Sequence, residues 1–167
     1  MMKVAIQMLL SNFPLAMLIL SLLIAFSKRE GFFNRFLVSQ LILTVGLFGI
    51  WGFIMHAFFS QTASEYIGWT ASPFEYEVAT ANLGIGISGI IAAFSSYGYK
   101  KSTITMVSIF LLGAAVGHVY QIHTAHNLNP GNAGTILWTD FLIPLFLWIA
   151  LIGARNKKPY GFLSTAE

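Results

Sequence analysis

The chain has 167 residues, 56% of them hydrophobic and only 9% charged, with a formal net charge of +3 and no cysteine. Soluble domains carry about 25% charged residues, so this composition excludes a water-soluble globular domain and a disordered chain. The missing thiols exclude disulfide scaffolds, cysteine-ligated zinc, iron–sulfur clusters and covalently attached c-type haem.

A helix needs about 20 mostly apolar residues to cross a bilayer, and five stretches meet that length. The first, residues 4–26, is longer than a signal-peptide core, and its basic residues follow it instead of preceding it, so it reads as a retained helix bent near Asn12 and Pro14. The second, 36–59, contains no Asp, Glu, Lys or Arg, and a polar loop over 60–71 follows it. The third, 73–98, opens on Ser72-Pro73-Phe74-Glu75, which reads as a serine N-cap, a proline at the first helical position and a glutamate closing the capping box. The fourth, 103–122, follows Lys100-Lys101. A loop over 123–135 contains the turn Asn129-Pro130-Gly131-Asn132. The fifth, 136–154, carries Asp140 near its positive N-terminal end. Short alternating strands are absent, which excludes a β-barrel. The expected fold is all-α: one polytopic bundle of five transmembrane helices.

The charges sort by sign. Lys28, Arg29, Arg35, Lys100, Lys101, Arg155, Lys157 and Lys158 follow the first, third and fifth spans, with Glu30 and Glu167 among them. Lys3, Glu65, Glu75, Glu77 and Asp140 fall on the other side. The positive-inside rule makes the basic side cytoplasmic, which puts the N-terminus outside and the C-terminus inside. The basic balance is therefore a topology signal. The expected partner is the lipid bilayer, with no nucleic acid.

Small residues recur at helical spacing: Gly46, Gly49 and Gly52, then Gly84, Gly86 and Gly89, then Gly113 and Gly117. Such positions let backbones approach closely within the bundle, make room for a flat ligand, or offer a face to another copy or a membrane-complex partner. The match of Gly84–Gly89 to G-x-G-x-x-G lacks the strand that a dinucleotide site needs. Trp51, Trp69, Trp138 and Trp148, with Tyr66, Tyr97, Tyr120 and Tyr160, sit mostly near span boundaries as interfacial anchors.

All four histidines fall in the outer half or the outer loops. His56, Glu77, Asn82, His118, Gln121 and Asp140 come from four helices at comparable depth, where ionisable groups are costly and are functional candidates. Three uses fit this layer. His56, His118, Glu77 and Asp140 make a donor set for Zn²⁺, Mn²⁺ or non-haem iron, with Asn82 and Gln121 as supporting polar groups. His56 and His118 are alternatively the axial ligands of a b-type haem. A third use is a proton or solute path through a small transporter or channel, and an accessory subunit without a site is the remaining reading. Glu75 reads as the capping-box partner, and Glu65, His123 and His126 as solvated loop residues.

Three stretches carry a resemblance. They are Ile67-Gly-Trp69 with Ser72-Pro-Phe74, Glu77-Val with Ala81-Asn-Leu83, and Pro130-Gly-Asn-Ala-Gly134 followed by Asp140, with Gly117-His118 before the last. Over Gly46 to Leu151 the chain resembles an uncharacterised family of small bacterial polytopic membrane proteins. The resemblance implies a multi-pass protein of the bacterial cytoplasmic membrane. It implies no activity or cofactor, and places His56, Glu77, Asn82, His118 and Asp140 on family positions.

Overall fold

The computed structural model describes residues 2–28 and 30–155. Arg29, Lys157, Lys158, Tyr160 and Glu167 lie outside the described residues. The described chain is all-helical: α1 (Met2–Phe26), α2 (Phe32–Gln40), a π-helical segment (Leu41–Leu47), α3 (Phe48–Phe58), α4 (Ser60–Ile67), α5 (Phe74–Ala93), α6 (Tyr97–Ala125), α7 (Pro130–Ala133) and α8 (Thr135–Ala154).

Among the described residues, four stretches are long and apolar enough to cross a membrane: Phe32–Phe58, Phe74–Ala93, Tyr97–Ala125 and Pro130–Ala154. Within α1, Asn12–Phe26 is apolar as well; the expected fifth crossing is not among these four. Large apolar side chains such as Leu23, Ile109, Val116 and Ile152 are exposed along the helix flanks. A water-facing surface rarely carries so many; a lipid-facing one does.

Several boundaries differ from the sequence expectation. The third span ends at Ala93, because Phe94 and Ser95 turn back onto the carbonyls of Ile91 and Ala92 and Ser96 caps the next helix. The capping box at Ser72 does not form. Pro73 is the N-cap residue, no side chain caps the helix, and Glu75 is directed elsewhere. The polar loop over 60–71 is largely the helix α4. It ends at Gly68, whose φ of 77° is left-handed and whose N–H donates to the Ser64 carbonyl at 2.7 Å. A side chain at Gly68 would be strained there and would also collide with Asn129.

Glycine sets the closest helix contact. A Cβ on Gly49 would lie 2.6 Å from Gly86 N, and one on Gly86 would lie 2.8 Å from Gly46 O. The backbones of α3 and α5 therefore touch, as small residues permit in lipid, where no hydrophobic force drives helices together. Elsewhere Leu37, Leu41, Ile104, Ile143, Leu147 and Leu151 form the apolar core between α2, α6 and α8. Trp148 Nε1–H donates to Ser108 Oγ at 3.1 Å and ties α8 to α6. Trp148 is thus a packing residue, not an interfacial anchor. At the basic end, the Arg35 guanidinium donates to the carbonyls of Ala25, Lys28 and Glu30 and closes the turn after α1. A cation on terminal carbonyls is favourable by the helix dipole.

Candidate functional site

The end of the bundle opposite Arg35 gathers the C-termini of α3 and α6 and the N-termini of α5 and α8. Two connections cross it. One is α4 with the segment that leads to α5; the other is the loop from His126 through α7. Three contacts lock these together. Asn127 Nδ2 donates to the carbonyls of Ile67 and Gly68 at 3.0 and 3.2 Å. Gly131 packs against the ring of Tyr66, leaving no room for a Cβ. Trp69 Nε1–H donates to Asn132 Oδ1 at 3.0 Å.

Asn132 is fully buried and organises the centre. Its Nδ2 donates to the carbonyls of His118 and Asn127 at 3.2 and 2.9 Å, so its oxygen must be the acceptor on the other side. That oxygen lies 2.9 Å from His118 Nδ1. His118 therefore carries its hydrogen on Nδ1, and Nε2 is the atom turned toward Asp140 Oδ2, 3.8 Å away. Trp69 covers the imidazole, with ring centroids 5.4 Å apart. Asp140 is only 2% exposed, and its Oδ2 makes no hydrogen bond among the described residues.

A second histidine–carboxylate pair lies on α3 and α5. His56 Nδ1 is 3.7 Å from Glu75 Oε2, and Glu75 Oε1 accepts a hydrogen bond from Ser64 on α4. Both pairs line one cavity of about 350 Å³, together with Asn82, and its walls include Phe48, Trp51, Tyr66, Trp69, Phe74 and Phe110. Asn82 donates to its own helix, to the Val78 carbonyl at 2.9 Å. It also lies under Gly52, where a Cβ would come within 2.8 Å of Asn82 Oδ1.

The structure thus brings His56, Asn82, His118 and Asp140 to one cavity and leaves two expected members out. Glu77 is exposed, two residues after Glu75 and on nearly the opposite side of α5. Gln121 is half-buried and lies off the cavity wall. The expected metal set does not assemble: among the described residues no three His, Asp or Glu side chains lie close enough to hold an ion. His56 and His118, the expected axial pair of a b-type haem, both line the cavity, with a carboxylate oxygen 3.7 Å from His56 Nδ1 and another 3.8 Å from His118 Nε2. Glu75, Ser64, Trp69 and Asn132 are the site residues that sequence reasoning missed. Asn132 and Trp69 both lie in stretches that carried the resemblance, where they read as a turn and an anchor.

Four membrane-length apolar helices among the described residues define the class, a helical membrane protein, with a cavity at one end of the bundle. The chain matches a family of unknown function, DUF6790, over residues 6–160. It belongs to that family, and the match extends the resemblance through α1. No curated protein and no solved structure matches the chain.

Proposed function

We propose that this chain is a multi-pass membrane protein that binds a small, largely apolar molecule in the cavity and holds its polar end between two histidine–carboxylate pairs. The observation that carries the reading is the cavity itself. Its volume of about 350 Å³ lies in the range of ligand pockets, apolar walls with a few convergent polar groups are their usual make-up, and Asp140 and His118 are buried on its wall. Burying a carboxylate without hydrogen bonds is costly, and a site with no ligand gives no reason to keep one there.

The reading is tested by native mass spectrometry of protein released from micelles in the presence of 4-phenylbutanol and 4-phenylbutylamine. A one-to-one adduct is expected with at least one of them. Ala114→Trp, which places an indole in the cavity, removes it. Absence of any adduct, or an adduct that survives Ala114→Trp, overturns the reading.

We also propose five crossings, with the N-terminus and the cavity on the extracytoplasmic side of a bacterial cytoplasmic membrane. Support comes from the unbroken length of α1, Met2–Phe26, and from Lys28, Arg35, Lys100, Lys101 and Arg155 all lying at the end remote from the cavity. The chain has no cysteine, so single cysteines report cleanly. Gln61→Cys should react with a membrane-impermeant maleimide on intact cells and Lys101→Cys should not; the reverse pattern inverts the topology.

A further inference from the structure

The identity of the polar end can be argued from the atoms that face it, taking the cavity as a ligand site as above. Asn132 fixes the hydrogen of His118 on Nδ1, so neutral His118 presents a lone pair at Nε2. Asp140 Oδ2 faces it at 3.8 Å, too far for a hydrogen bond between them. Two acceptors therefore face each other at the edge of the cavity, one of them a carboxylate oxygen that is buried and has no hydrogen bond among the described residues. A second carboxylate oxygen without a hydrogen bond among the described residues, Glu75 Oε2, lies on the same cavity. Among the described residues no lysine or arginine lines the wall. The remaining wall is rich in aromatic rings, which favour a cation by their quadrupole and an apolar body by contact.

We propose that the ligand is a protonated primary or secondary amine on an apolar body. Its N–H groups bridge His118 Nε2 and Asp140 Oδ2, and its body lies along Trp51, Trp69 and Phe110. A cation with at least two N–H donors satisfies both acceptors at once and neutralises the buried carboxylate. An alcohol supplies one donor and no charge. A quaternary ammonium supplies charge and no donor.

The test compares three probes on the full chain in micelles: 4-phenylbutylamine at a pH where it is protonated, 4-phenylbutanol, and 4-phenylbutyltrimethylammonium. Binding is followed by tryptophan emission, with probe partitioning into empty micelles subtracted. The primary ammonium is expected to bind at least about tenfold more tightly than the alcohol, and more tightly than the quaternary analogue. Asp140→Asn should bring the amine down to the alcohol's affinity while the alcohol's changes little. Equal binding of amine and alcohol overturns the cation assignment and leaves the cavity reading standing. Equal binding of primary and quaternary ions overturns the bridging geometry. Binding of none of the three defeats the cavity reading itself. The comparison within the unaltered protein decides the matter even where Asp140→Asn fails to fold.

Discussion

Gly49→Ala is the sharpest test of how the bundle holds its site. The added methyl would sit 2.6 Å from Gly86 N and 2.7 Å from both Asn82 O and Gly86 Cα. All three are backbone atoms and cannot rotate away, so α3 and α5 must separate by most of an ångström. A gap of that size forfeits a quarter to a half of each van der Waals contact along the interface, and overpacking of this kind costs about 1–3 kcal/mol. Gly84 lies on α5 two residues before Gly86, on the side turned away from α3, and a Cβ there meets nothing within 4 Å. Gly84→Ala should therefore be neutral or stabilise by up to about 1 kcal/mol through helix propensity. Reversible unfolding in mixed micelles of rising denaturing-detergent fraction, followed by circular dichroism, measures both. Gly49→Ala is expected to unfold at a clearly lower detergent fraction. Equal midpoints for the two variants would refute the backbone contact between α3 and α5. Because Asn82 sits at this contact and on the cavity wall, Gly49→Ala should also weaken probe binding, and Gly84→Ala should not.

Asn132→Ala removes four hydrogen bonds, to Trp69, to the ring and carbonyl of His118 and to the Asn127 carbonyl; at about 1 kcal/mol each it should destabilise by roughly 2–4 kcal/mol in the same assay and shift tryptophan emission as Trp69 is released. Trp148→Phe loses the bond to Ser108 and should cost about 1 kcal/mol while leaving probe affinity alone, which a titration of the variant checks. Glu75→Gln should reduce amine binding several-fold and Glu77→Gln should leave it unchanged; the opposite result would restore the residue that sequence spacing favours.

The helical class and a surface suited to a bilayer were legible in the sequence. Run length and the rarity of charge determine them through solvation alone: an unpaired backbone or a charge in hydrocarbon is too costly for other folds. Depth was legible too, since rise per residue places His56, His118, Asn82 and Asp140 at one level. Rotation about each helix axis was not. Glu75 and Glu77 differ by two residues and by most of a half-turn, and the contact of α5 with Gly49 and Gly52 turns Glu75 to His56 and Glu77 outward. The same limit put Gln121 in the layer, although its helix holds it off the cavity wall. The loop asparagines escaped notice because their role depends on partners far away in sequence. Asn132 bonds to Trp69, 63 residues earlier, and no local pattern announces such a contact. Composition and periodicity thus determined the solvent and the depth of each group. The tertiary structure decided which of those groups meet, because packing of glycine faces and crossing loops sets helix rotation.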